Sequence, residues 1–173
     1  MEQEKKLIGT QRLDIVEATT EDIATIIEIE SHKDNRDYLW IGTWEEHQSE
    51  IDDPHHLLLL FRTKEDGRIV GYALARINKK SEVFELRRIA ITEKGMGFGK
   101  ESIQAIMHYA FTELGTNRLW LDVYSDNLIG IRLYESLGMH RDGVLRQNDK
   151  ADRGYLDQII YSMLKSEYFA GLE

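Results

Sequence analysis

Apolar residues in this chain recur with two periods, and the changes between them mark its elements. Arg12–Ala18 alternates Leu13 and Ile15 with polar positions, the period of a half-buried strand. Thr19 and Thr20, followed by Glu21 and Asp22, read as a helix start: hydroxyl caps, then acids that complement the positive end of the helix dipole. Ile23, Ile26, Ile27 and Glu30 continue at helical spacing. Tyr38–Ile51, with Trp40 and Trp44, reads as a second helical segment. His56–Thr63 is an apolar strand, Lys64-Glu65-Asp66-Gly67 a turn, and Arg68–Asn78 the returning strand of a hairpin. Val83–Ile91 is a further strand.

Ile103, Ile106, Met107, Ala110, Phe111 and Leu114 then fall at i, i+3, i+4, i+7, i+8 and i+11, an amphipathic helix that Gly115 ends. Arg118–Tyr124 is a strand. Leu128–Leu137 is a short helix stopped by Gly138, and Gly143–Leu164 holds a last pair of strands with Gly154 between them. Meander strands pair antiparallel, and a helical crossover brings the next strand in parallel. The expected fold class is therefore α/β (α+β): a mixed, mostly antiparallel sheet of about seven strands flanked by about four helices. Pro54 is the only proline, and there is no repeat or Gly/Ser linker, so residues 1–173 read as a single domain.

Composition narrows the function. A net charge of -9 argues against general binding to a phosphate backbone, which favours a basic balance, and so against nucleic acid. The absence of cysteine excludes disulfides, thiolate metal sites and a cysteine nucleophile. Met1–Lys6 is polar and reads as no signal peptide, and the longest aliphatic run, Leu57–Phe61, is too short for a bilayer. The expectation is a cytoplasmic protein with no membrane partner.

The candidate chemistry begins at Lys94-Gly95-Met96-Gly97-Phe98-Gly99-Lys100, between a strand and the strongest helix. Glycines let the backbone adopt positive φ and approach a ligand. The free amides of the first helical turn, with the helix dipole, make a site for phosphate or pyrophosphate, and Lys94 and Lys100 add countercharge. A strand-to-helix turn that merely needs room would look the same. Two rival phosphate motifs fail by letter. A Walker loop needs Gly at 94 and Ser or Thr at 101, where Lys94 and Glu101 stand; a dinucleotide fingerprint needs Gly at 100, where Lys100 stands.

Lys94 to Gly99 resembles the acyl-CoA-binding motif of the GNAT acetyltransferases, Q/R-x-x-G-x-G/A, with Gly97 and Gly99 in its two small positions and Lys94 in place of Gln or Arg. Asp126-Asn127-Leu128-Ile129-Gly130-Ile131-Arg132-Leu133-Tyr134-Glu135-Ser136-Leu137-Gly138-Met139 is similar to the family's second motif, N-x-x-A-x-x-L/F-Y-x-x-x-G-F. Gly130 replaces the usual Ala, and Met139 the usual Phe. The resemblance covers residues 67–164 and is greatest to the branch of the ribosomal-protein N-terminal and spermidine acetyltransferases.

What the resemblance implies is acetyl transfer from acetyl-CoA to a primary amine, on a small molecule or a peptide. The amides of Gly95, Met96, Gly97, Phe98, Gly99 and Lys100 would hold the pyrophosphate. The backbone of Ile89, Ala90 and Ile91 would pair with the pantetheine arm in a gap beside Arg118–Tyr124. Asn127 would contact the arm, although its position also suits a helix N-cap, and one residue can do both. Tyr134 would be the general acid, since a phenol is protonated at neutral pH; its spacing with Gly130, Leu133 and Leu137 alone would place it in a core stripe. Glu85 would be the base, acting through water, or else a strand residue ion-paired to Arg87 or Arg88.

The segment between the first strand and the hairpin would shape the acceptor site. Its carboxylates, with Tyr38, Trp40 and Trp44, suit a cation such as a polyamine; the plainer alternative is a solvated acidic face whose tryptophans pack on the sheet. No histidine pair has zinc spacing, so no metal is expected. Many relatives form dimers, which implies a homodimer. The competing reading is a non-catalytic acyl-CoA sensor or interaction module on the same fold.

Overall fold

The computed structural model describes residues 4–173. Its strands are β1 (Lys6–Gly9), β2 (Leu13–Glu17), β3 (His56–Thr63), β4 (Ile69–Asn78), β5 (Val83–Ile91), β6 (Arg118–Tyr124), β7 (His140–Ala151) and β8 (Gly154–Leu164). They form one sheet in the order β1-β2-β3-β4-β5-β6-β8-β7. Every neighbouring pair is antiparallel except β5 with β6, where the helical crossover requires a parallel pair. The helices are α1 (Ile23–Ser31), α2 (Trp44–Asp52), α3 (Phe98–Thr112), α4 (Leu128–Ser136) and α5 (Lys165–Ala170).

The sheet thus has one strand more than the sequence pattern predicts, and one more helix flanks it. β1 and α5 are too short to show a period. They exist because of what they touch: Leu7 and Ile8 pack against the core, and Tyr168 of α5 stacks on Phe111 of α3 at 5.0 Å. The second helical segment also begins later than its aromatic residues suggest. Thr43 and Glu46 form a capping box, with Thr43 Oγ1 accepting from the Glu46 amide at 3.2 Å and Glu46 Oε2 from the Thr43 amide at 2.7 Å. That box starts α2 at Trp44 and leaves Tyr38–Gly42 as loop.

Two apolar cores lie on opposite faces of the sheet. On one, α1 and α2 cover Val16, Leu58, Leu60, Tyr72, Leu74 and Ala90. On the other, α3, α4 and α5 bury Phe61, Phe84, Leu86, Leu121 and Tyr161. The predicted stripe of α3 is the centre of the second core: Ile103, Ile106, Met107, Ala110 and Phe111 are all buried, and each larger side chain contributes roughly 1.5–3 kcal/mol.

The feature that positions the site is a fork in the sheet. β5 and β6 are paired only at Val83↔Arg118, Phe84↔Leu119 and Glu85↔Trp120. Beyond that point the strands diverge, while β5 remains paired to β4 through Ile91 and β6 to β8 through Tyr124. A register shift in the β4–β5 ladder sets Leu74 opposite Arg88 and Ala75 opposite Leu86, so Arg87 is an extra residue in β5 at the start of the fork. An added residue of this kind bends its strand and increases its twist, which turns β5 away from β6.

Candidate active site

The glycine turn forms one end of the site. Gly95 and Gly97 both have positive φ, 76° and 79°, and Gly97 is the N-cap of α3. A side chain at either would be strained in that backbone conformation. Glu101, the acid of the first turn of α3, does not occupy the helix N-terminus. Its carboxylate is drawn aside to the β1–β2 turn, where it accepts from Thr10 Oγ1 at 2.6 Å, from the Arg12 amide at 2.9 Å and from Arg12 Nε at 2.7 Å. The positive end of the α3 dipole is therefore not neutralised by this acid.

This turn opens into a cleft of about 1230 Å³ that runs along the fork. All the residues predicted for the cosubstrate line it except Met96, whose side chain is exposed and whose carbonyl accepts from Arg12 Nη1 at 2.9 Å. Residues 87–91 and 121–124 face each other across the fork without a strand between them, so their ladder groups are available to an extended ligand, as in strand addition. Lys94 lines the cleft, but its ammonium is engaged. Nζ donates to Asn35 Oδ1 at 2.7 Å, tying the glycine turn to the loop after α1, and partial burial lowers its pKa.

Asn127 proves to be the N-cap of α4, its Oδ1 accepting from the Gly130 amide at 3.0 Å, and it lines the cleft as well. The same geometry accounts for Gly130 where Ala is usual: a Cβ there would lie 2.8 Å from Asn127 Nδ2. Tyr134, further along α4, sits where the core meets the cleft. Its ring is core, 6% exposed and tilted against Tyr161, yet it lines the cleft. Its hydroxyl makes no hydrogen bond to another described residue. Burial, with the nearby charge of Asp122, pushes the phenol well above its ordinary range. It therefore holds its proton at any physiological pH.

Of the carboxylates, Asp122 lines the cleft and Glu85 does not. Glu85 sits at the last paired position of the fork, 3.5 Å from Arg87 Nε. Burial raises its pKa, with Arg87 opposing and Asp122 adding. Asp122 accepts from Gln158 Nε2 at 3.1 Å, and burial again raises its pKa, with Asp149 adding to it. The sequence carried a signal for Asp122: it is the acid that alternates with the buried Leu119, Leu121 and Val123.

A family model described as the acetyltransferase (GNAT) family matches residues 3–139. The chain belongs to the GNAT acetyltransferases. It is 38% identical over 74 residues to an uncharacterized N-acetyltransferase, p20, of Bacillus licheniformis, a match covering 43% of this chain and 42% of that one. It is 31% identical over 128 residues to the prophage-derived uncharacterized N-acetyltransferase YokL of Bacillus subtilis (strain 168), covering 72% of this chain and 70% of that one. The fold matches the crystal structure of spermidine N-acetyltransferase from Vibrio cholerae in complex with CoA and spermine, at a TM-score of 0.83 and 20% identity, over 92% of this chain and 99% of that one. As a member of this family the chain falls in the N-acetyltransferase class.

Two of the acids of the 28–53 segment are neither solvated nor free for a ligand. Glu30 is wholly buried: Oε1 accepts from the Gly42 amide at 3.1 Å and lies 2.7 Å from His47 Nε2, while Oε2 accepts from Tyr72 and from Arg88 Nη1 at 3.2 Å. Glu50 Oε2 accepts from Arg88 Nη2 at 2.6 Å, and its Oε1 lies 3.0 Å from His47 Nδ1. Burial alone would lower the His47 pKa, but the bonds and charges of the two carboxylates outweigh it and raise it to about 9. Two anions and two cations thus cancel. The tryptophans do not pack flat on the sheet either. Trp40 is half exposed and lies against the Arg88 guanidinium, 4.6 Å from its ring centre, which makes it a wall of the cleft.

Proposed function

We propose that the chain transfers an acetyl group from acetyl-CoA to a primary amine on a small cationic acceptor, by direct attack on the thioester. The observation that carries this reading is the continuity of one cleft from the N-terminus of α3, through the fork, to Tyr134 and Asp122. The pyrophosphate would sit on the amides of the glycine turn, and the pantetheine arm would lie between the inner edges of β5 and β6. That arrangement holds the thioester in place before the amine arrives, which removes much of the entropic barrier.

The attacking nitrogen forms a bond to the acyl carbon and loses a proton. Asp122, the cleft carboxylate on β6, would accept it, and burial raises its pKa, the direction that makes a carboxylate a better base. Glu85 would act one step removed, through water. The carbon–sulfur bond then breaks, and the leaving thiolate takes the Tyr134 proton. An inner-edge amide of β5, beyond its last pair with β6, would supply a donor for the developing oxyanion.

A polyamine or other multiply charged amine is the acceptor class favoured here. Asp34, Asp37, Asp122 and Glu46 line the cleft and are not part of the neutralised Glu30 network. The Vibrio cholerae protein of like fold was crystallised with CoA and spermine, which supports the same class. The test is calorimetric titration with acetyl-CoA, with ATP and NAD as controls, followed by thiol release with spermidine, monoamines and peptide amines. Selective acetyl-CoA binding with turnover on spermidine is expected. Binding without thiol release from any amine would favour the non-catalytic sensor, and turnover confined to neutral-side-chain amines would exclude the polyamine.

A further inference from the structure

The long β7–β8 hairpin does not run straight to its turn. Leu145 pairs with Gln158 and Asp149 with Leu156, so three residues, 146–148, face the single Asp157. Gln147 at the centre of this bulge has φ of 50°, a conformation that non-glycine residues adopt at a cost, and its amide donates to Asp157 Oδ1 at 2.7 Å. Bulges re-aim the strand beyond them. Here the tip is held toward the fork, and Tyr124 beside the fork donates to Asp149 just past the bulge.

Arg153 lies in the tight turn at that tip, a place where side chains are commonly solvated, yet its side chain is only 32% exposed. It spans two separate walls of the cleft. On the β6 side, Nε donates to Asp126 Oδ2 at 2.6 Å. On the side of the loop after α1, Nη2 donates to the Asp37 carbonyl at 2.6 Å. The guanidinium carbon lies 5.6 Å from the ring centres of both Tyr38 and Tyr124, which line the cleft. Tyr124 and Asp122 alternate with the buried Leu121 and Val123, so this crossing is on the face of the sheet that α1 and α2 cover, away from α3.

We infer that Arg153 is a clasp across the acceptor face of the cleft and a specificity-determining residue: it fixes the 33–42 loop to the β6 side and so limits the width of amine that reaches Asp122 and Tyr134. The geometry fits a slim, unbranched amine chain, with a bulky peptide kept out. Arginine is needed because one planar fork must serve a carboxylate, a carbonyl and two ring faces together, and lysine, a point charge, cannot. The assignment to acceptor width rests on the amine-acetylation reading; the clasp itself does not.

Hydrogen exchange of the 36–42 amides in the full-length protein tests the clasp without any acceptor. In Arg153→Ala and Arg153→Lys it should quicken by roughly threefold to tenfold, the factor carried by an exposed ion pair with cation–π contacts, while acetyl-CoA affinity measured by calorimetry stays within about twofold. Unchanged exchange overturns the clasp. Thiol release then compares spermidine with a short peptide bearing a free N-terminus. The ratio of kcat/KM, peptide over spermidine, should rise in Arg153→Ala, a gain that damage to the fold does not produce. A ratio that stays level or falls overturns the role in acceptor width. If no amine is acetylated by any form but exchange quickens, the amine reading fails and the clasp stands.

Discussion

His47 Nε2 lies 2.7 Å from Glu30 Oε1, and neither side chain is reached by solvent. A buried imidazole between two carboxylates is held as a cation, with its pKa raised from 6.5 to about 9. A group whose folded pKa exceeds its unfolded value stabilises fully below the unfolded pKa and loses that contribution as pH rises through the folded one. Stability should therefore fall between about pH 6.5 and 9 by up to ~3 kcal/mol. Urea unfolding at both ends of that window measures it, and the slope should flatten in His47→Gln. On the acid side the opposite sign applies to Glu50. Burial raises its pKa, but the His47 bond and Arg88 outweigh it, so its contribution is lost as pH falls.

Replacing Arg88 removes one of the two cations, with His47, that both buried acids share. Arg88→Met should cost about 3–5 kcal/mol, the usual penalty for leaving a buried ion uncompensated. In a chain of this size that lowers Tm by roughly 6–20 °C. Thermal unfolding measures it. The companion Glu30→Gln should cost a similar amount, because one oxygen becomes an NH2 facing donors, either Gly42 and His47 or Tyr72 and Arg88, and two cations are left with one anion.

Gly97→Ala puts a side chain on a residue at φ 79°, which costs about 1–2 kcal/mol and tilts the first-turn amides. Acetyl-CoA should bind about tenfold or more weakly. Gly67→Ala is the matched control: φ is 72° and nothing lies within 4 Å of the new Cβ, so it carries the same backbone strain at a residue that does not line the cleft. It should lose stability and keep its acetyl-CoA affinity.

Tyr134→Phe leaves the ring in the core and removes only a hydroxyl that bonds no other described residue. Stability should hold within about 0.5 kcal/mol while kcat falls roughly 10²-fold or more, the worth of a positioned general acid. Stopped-assay kinetics at saturating acetyl-CoA separate the two. A kcat within threefold of wild type would remove Tyr134 from the chemistry.

How much of this was legible from sequence depends on whether a feature is local. The α3 stripe, the glycine turn before it and the Asn127–Tyr134 helix each lie within one stretch of chain, and their spacing carried them. The fork does not. It depends on where two strands distant in sequence stop pairing and on one extra residue, Arg87, that no periodicity marks. The Glu30 network draws on residues 30, 47, 50, 72 and 88 from four elements. One trace of it was visible: Glu30 continues the Ile23, Ile26 and Ile27 stripe, where a carboxylate facing the core needs a partner. Reading the segment by composition counted Glu30 and Glu50 as free charge, although folding had already neutralised them.

The fork gives the sheet four edges where eight strands in one row would have two. An outer edge is open to any passing strand, and proteins blunt such edges against aggregation. The inner pair is recessed, with α4 beneath it and the loop after α1 above. Those covers stand in the way of another sheet. The fold can therefore keep two bare ladder edges in its middle, because only a single thin chain is able to reach them.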